Sequence, residues 1–394
     1  MTLALIMGVY LTSSFEAHAL PTLVATVHVG HRPVSIAVDP ISSVIYVANS
    51  ADGTVTVISA ATDKVIATVQ VGANPVAIAV NPSIHMVYVV SENDSFVSVI
   101  RGSNNKVVGN LTVGTNPVAV AVDPGSRRVY VVNRDDNDVS VISGTNYTEL
   151  FTIPVGRSPD AIAVNSVTGA LYVVSPRDRM LSVIRGTTYT SAANVSLGRG
   201  PNSVVVNPAN GNVYVVNGAD DTLSVFGGTS YQSIANLTTG YSPSSVDVDR
   251  VDGLVYVANS DNGSVSVFKE KSWGSIANLT VGGSPAEVTV DHYTGFAYVA
   301  NIDNDTISVI RDLPARTSTS TTSRATTISN TQVITTSTTA SAVEEAPAQF
   351  PTPGMLLALA LILFFLLLAA IAYRLRHRRL RKPPQEDPRN LTAT

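Results

Sequence analysis

The stretch YVANSADGTVTVI, Tyr46 to Ile58, returns as YVVNRDDNDVSVI from Tyr130 and as YVANIDNDTISVI from Tyr298. Its two apolar ends are kept while its polar middle is rewritten each time. Short Val/Ile-rich runs on either side of a variable polar segment read as two strands joined by a turn. The strands are held by packing, and the turn varies because it lies at the surface. Within the turn one position does not vary: Asp52, Asp94, Asp136, Asp178, Asp220, Asn262 and Asn304 are all Asx. That is the residue type favoured by a tight turn that bonds its own backbone.

Outward from this motif the spacing is regular. A glycine opens a Gly-x-x-Pro step at Gly30, Gly72, Gly114, Gly156, Gly198, Gly240 and Gly282, always 42 residues apart, and Tyr46 and its counterparts keep the same interval. The chain therefore holds seven repeats with no insertion. Each contains four apolar runs, as in PVAIAVDP, VYVVN, VSVIS and ELFTIPVG, too short for helices. Four strands in a unit of roughly 40–45 residues describe a β-propeller blade. The fold class is thus all-β, a seven-bladed β-propeller of four-stranded blades over about 20–313. Before the first Gly-x-x-Pro, LVATVHV from Leu23 matches the fourth strand of the other units, whereas the seventh unit stops after its third strand at Ile310. The N-terminal strand is expected to close the last blade. Blades that pack both faces on their neighbours leave no room for insertions.

The whole unit resembles the YVTN-repeat β-propellers, a family related to archaeal surface-layer proteins, whose pattern joins a YVTN-like strand, an Asn/Asp-rich turn, SVI and a VGxxPxxVAV crossover. The third motif residue here is Ala or Val rather than Thr, and Ser91 and Ser175 replace Asn. The resemblance implies a propeller at a cell surface and no shared reaction.

The flanks carry addressing signals. Residues 1–19 combine an apolar run from Leu3 to Leu11 with an Ala17-His18-Ala19 cleavage-like site, the pattern of a signal peptide. In 314–353, 17 of the 25 residues from Thr317 to Ser341 are Ser or Thr, which cannot build a core and reads as an O-glycosylated stalk. Residues 354–373 are twenty uncharged residues; at about 1.5 Å each they form a transmembrane helix across a core of roughly 30 Å. The basic tail 374–394 begins RLRHRRLRK and belongs on the cytoplasmic side. The expected localisation is the cell membrane, with the N-terminal ectodomain outside. The chain contains no cysteine, which excludes disulfides, thiol nucleophiles and zinc-thiolate sites. Net charge is −4, and nothing basic outside the tail suggests a nucleic-acid groove.

Candidate chemistry is sparse. His28, His31, His85 and His292 fall at four different repeat positions and are expected at the surface, forming no imidazole ring for a metal or haem. Tyr147, Tyr189, Tyr231 and Trp273 share one repeat position, as packing residues do. Asp160, Asn202 and Ser244 follow the proline in three successive units, with Asp247 and Glu287 farther along the same strand. If that strand is innermost these residues line a channel, either as solvated lining or as a cation or acid–base site. Arg157, Arg177, Arg179 and Arg199 belong to loops of one face and would suit an anionic ligand. The Asx-rich turns invite a calcium reading but lack the spacing of an EF-hand, so no metal or cofactor is assigned. Asn-x-Ser/Thr sequons occur at Asn93, Asn110, Asn146, Asn194, Asn236, Asn262, Asn278 and Asn304, four of them in register on the fourth strand. The leading reading is a membrane-anchored surface propeller that binds a protein or glycan partner without catalysis. The alternatives are a lactonase-like or quinoprotein-like enzyme at the channel mouth, and a structural surface-layer subunit.

Overall fold

A computed structural model describes residues 20–311. The segments assigned above to signal peptide, stalk, membrane span and tail lie outside the described residues. Among the described residues no helix is long and apolar enough to cross a membrane.

Twenty-eight strands form seven four-stranded antiparallel sheets. In six of them the strands follow chain order from the innermost outward, giving blade 1 at 33–70, blade 2 at 75–112, blade 3 at 117–154, blade 4 at 161–196, blade 5 at 201–238 and blade 6 at 243–280. Blade 7 combines Pro285–Asp291, Phe296–Asn301 and Thr306–Arg311 with the amino-terminal strand Thr22–His28, which pairs antiparallel to Thr306–Arg311. The inner strands neighbour one another in sequence around the circle, and Pro285–Asp291 against Pro33–Asp39 completes it. The ring is therefore closed by the chain's own start, as the repeat phase requires.

The core lies between blades. Tyr46, Ala48, Val55 and Val57 of blade 1 pack with Ile78, Val87 and Val89 of blade 2, and six similar clusters repeat this around the ring. Tyr46 and its six counterparts are each at most 2% exposed. With about 1.5–3 kcal/mol for each fully buried Val or Ile, an extra residue in these strands would misalign apolar surface on both faces at once. The aromatic series of the turn after the third strand packs backward onto the preceding blade: Tyr189 lies 6.5 Å from Tyr130 and Trp273 6.2 Å from Tyr214.

The turn of the opening motif is fixed by two polar contacts. Asn49 is fully buried, and its Nδ2 donates to Thr54 Oγ1 at 3.1 Å and Thr56 Oγ1 at 2.8 Å. Asn133, Asn217, Asn259 and Asn301 repeat the arrangement. These asparagines press against the crossover glycine: a Cβ at Gly30 would lie 2.7 Å from Asn49 Cγ, and one at Gly282 2.5 Å from Asn301 Cγ. Close approach therefore explains the glycine at this step. In blades 2 and 4 Ser91 and Ser175 replace the asparagine, and there the hydroxyl partner five residues on becomes Phe96 or Met180.

The invariant Asx acts differently from the sequence expectation. Instead of bonding its own turn, Asp52 accepts the backbone amide of His31, 21 residues earlier in the crossover. Asp94, Asp136, Asp178 and Asp220 do the same for Ala73, Thr115, Arg157 and Arg199 at 2.5–2.7 Å. Asn262 and Asn304 bond the amides of Tyr241 and Gly283. The turn thus fastens the loop entering its own blade, because that extended crossover has no strand partner for its amides.

Replacing Asn259 with Ala should lower unfolding free energy by about 1–3 kcal/mol, since it strands the Gly240 amide, which lies 3.0 Å from Asn259 Oδ1, and the hydroxyls of Ser264 and Ser266. Urea denaturation measures it, and an unchanged midpoint would contradict this role.

Candidate functional site

Crossover loops and motif turns share one face of the ring, held together by the Asx bonds just described. Arg177 and Arg179 stand there on the motif turn of blade 4, and Arg157 and Arg199 on the crossovers into blades 4 and 5. The sequence foresaw four guanidiniums on one face; the structure interleaves them with carboxylates. Arg157 Nε donates to Asp178 Oδ1 at 2.7 Å, and Arg199 Nε to Asp220 Oδ1 at 2.6 Å. Asp178 is held below the usual carboxylate range, chiefly by the Arg157 side chain and then by its amide. Asp220 is lowered chiefly by the Arg199 amide, then by its side chain, with a smaller contribution from Arg179. Arg177 and Arg179, both exposed, have no carboxylate within ion-pairing distance among the described residues. Arg32, exposed in the crossover into blade 1, likewise has no ion pair among the described residues.

The first strand of each blade is innermost, so Asp160, Asn202, Ser244, Asp247 and Glu287 do line the central channel. Two cavities of about 200 and 220 Å³ occupy it. Each polar side chain has a contact of its own. Asp160 pairs with Arg134, which also reaches Glu92 at 3.4 Å. Asn202 Nδ2 donates to the Pro243 carbonyl at 3.0 Å, and Ser244 Oγ to the Pro285 carbonyl at 2.7 Å.

Asp247 and Glu287 follow a rule of the inner strands. An innermost strand presents an open edge, and its free amides need acceptors. Ser35 Oγ accepts the Ile78 amide of the next blade at 3.1 Å, and Ser203 and Ser245 accept those of Val246 and Val288 at 3.3 Å. Glu287 stands at the same repeat position and accepts the Ile36 amide at 2.8 Å, across the junction that closes the ring. One register step along, Asp247 Oδ2 accepts the Val290 amide at 2.8 Å. Burial raises the Glu287 pKa to about 7, opposed by hydrogen bonds from Ser35 and the Ile36 amide and reinforced by the charge of Asp247.

Glu92 and Arg134, which join Asp160 in one charged chain, were not singled out from sequence. Their signal was available: both follow the motif's Asn/Ser, where other blades carry Ser, Pro, Gly or Ile. Two histidines also depart from expectation. His28 and His31 are exposed, but His85 is half-buried with Nδ1 2.7 Å from Asp39 Oδ2, and His292 is half-buried with a pKa lowered by desolvation. No group of three or more His, Asp or Glu residues is placed to hold a metal among the described residues. The asparagines of all eight sequons are exposed, with Asn110, Asn194, Asn236 and Asn278 aligned on outermost strands.

Glu287 makes stability pH-dependent. Between about 4.5 and about 7 the folded chain keeps a proton that the unfolded chain releases, so this group's contribution is complete below 4.5 and is lost as pH rises towards 7. With about 1.4 kcal/mol per pKa unit and some screening by channel water, wild type should lose on the order of 2 kcal/mol relative to Glu287→Gln across that window. Parallel pH–stability curves for the two proteins would refute the assignment.

Residues 241–268, most of the first three strands of blade 6 with the preceding crossover, match the NHL repeat model. No curated protein sequence matches the chain. Among solved structures, a chain of hydrazine synthase from Kuenenia stuttgartiensis is similar at 19% identity and a TM-score of 0.65, covering 72% of this chain and 96% of that one. A likeness at that identity is a likeness of fold, and the chain is a seven-bladed β-propeller carrying an NHL-type repeat.

Proposed function

We propose that this chain is a membrane-anchored extracellular propeller of the YVTN surface-layer-like type, which binds a surface protein or glycan through its loop face and performs no catalysis. The observation that carries the reading is the contrast between face and channel. Arg177 and Arg179 stand exposed and unpaired on the face, whereas Asp160, Asp247 and Glu287 are each committed to a guanidinium or a backbone amide. An acid or base engaged in holding the fold is poorly available to a substrate. Repeat propellers are also an interaction-type scaffold, rigid beneath variable loops. The surface location rests on the apolar, Ser/Thr-rich and basic segments outside the ring, and the aligned sequons at Asn110, Asn236 and Asn278 fit N-glycosylation of the outer edge strands.

Two measurements test this. Protease added to intact cells should release a folded ring by cutting within 314–353; a ring that stays protected would contradict the topology. In pull-down from detergent-solubilised envelope, the double replacement Arg177→Ser with Arg179→Ser should weaken capture of the bound partner several-fold, and raising salt should mimic it. Melting should shift by no more than about 0.5 kcal/mol implies, as both sites are exposed turn positions. Undiminished capture would show that the face is only a solvated surface.

A further inference from the structure

The side wall of the ring is not uniform. Between blades 3 and 4 lies a groove of about 310 Å³. Its floor is the buried pair Ile153 and Ile184, its apolar walls are Met180 and Tyr189, and Ser182, Ser191 and Asn194 form its polar side. Met180 is there because blade 4 is one of the two blades that substitute Ser for the buried Asn and an apolar residue for its hydroxyl partner. Tyr189 meets the exposed Phe151 edge-on at 4.9 Å, so aromatic surface continues from the groove to solvent.

Arginines stand at both ends. At the loop face the unpaired Arg179 adjoins the groove residue Met180, while Arg157, beside Gly156, is paired with Asp178. At the other end Arg128 stacks over the Tyr189 ring at 5.2 Å, and Arg185 adjoins Ile184. This local charge runs against the rest of the ring. Between positions 20 and 311 eight of the twelve arginines fall within 127–199, where they outnumber six carboxylates; elsewhere in the ring 17 carboxylates face eight Lys or Arg. Apolar floor, aromatic and Met walls and arginine flanks are the composition of a protein-binding hot spot.

The geometry points to a peptide-docking groove between blades 3 and 4, taking an extended partner segment whose apolar side chains enter the groove and whose Asp or Glu residues meet the arginines at its ends. A volume of about 310 Å³ holds two or three side chains, not a folded element. The opposite charge of the remaining ring repels the same acidic segment elsewhere, so selectivity and location come from one feature. The loop-face reading could fail without affecting this one, because Arg177 belongs to the face alone.

The test uses the full-length chain and fluorescein-labelled ten-residue peptides with a central Leu-Phe or Leu-Met pair flanked by Glu, read by anisotropy. Counterparts with Lys in place of Glu serve as controls. Acidic peptides should bind and Lys peptides should not. Ser191→Trp, which fills the groove from an exposed strand position, and Arg185→Glu, which reverses one end, should each weaken binding about tenfold, with melting unchanged. Arg177→Ser should leave peptide binding within about twofold even if it abolishes capture of the surface partner. Absence of binding by acidic peptides, equal binding of Lys peptides, or wild-type affinity in both groove variants would overturn the proposal.

Discussion

Everything in this ring depends on how closely the motif turn approaches the crossover that enters its blade. Where the motif carries Asn, that side chain lies so near the crossover glycine that no other residue fits, and the Asx three positions on grips an amide of the same crossover. These contacts convert an unpaired loop into a fixed strap. With the strap fixed, inner-strand side chains of blades 1, 5, 6 and 7 reach free amides of the following blade. The apolar clusters between blades supply most of the stabilisation. The polar straps set the register in which those clusters can form.

Glu287 shows the cost of closing a circle with a carboxylate. The same position in blades 1, 5 and 6 holds a serine, which accepts one amide without a charge. At the junction of blade 7 with blade 1 a longer acceptor spans the step, and its ionised form is disfavoured by burial and by Asp247. Ring closure therefore combines a backbone seam, Thr22–His28 on Thr306–Arg311, with a titrating latch on the channel side.

The architecture was legible because a 42-residue period without insertions admits few solutions, and because the phase of the first and last strands names the blade they share. The direction of the Asx side chain was not legible. Asp52 is a good turn residue by local rules, and only the folded loop reveals that its acceptor faces an amide 21 residues away. The arginines illustrate the same limit: one face for all four follows from repeat position, whereas pairing of Arg157 and Arg199 depends on carboxylates at exactly the turn positions that hold the crossover. Arg134 and Glu92 were hidden for another reason, since each looks like ordinary turn polarity until inner-strand geometry brings them to Asp160.

The central claim is that the invariant residues hold the ring while function resides in its departures from the repeat, on the outer surfaces around blade 4. Hydroxyl-radical footprinting of the full-length chain on intact cells, with and without its captured partner, tests this most directly. The account predicts protection concentrated in 176–185 and little change in the inner strand Pro285–Asp291. Protection centred on the channel strands, with 176–185 unaltered, would contradict it and favour a site on the axis.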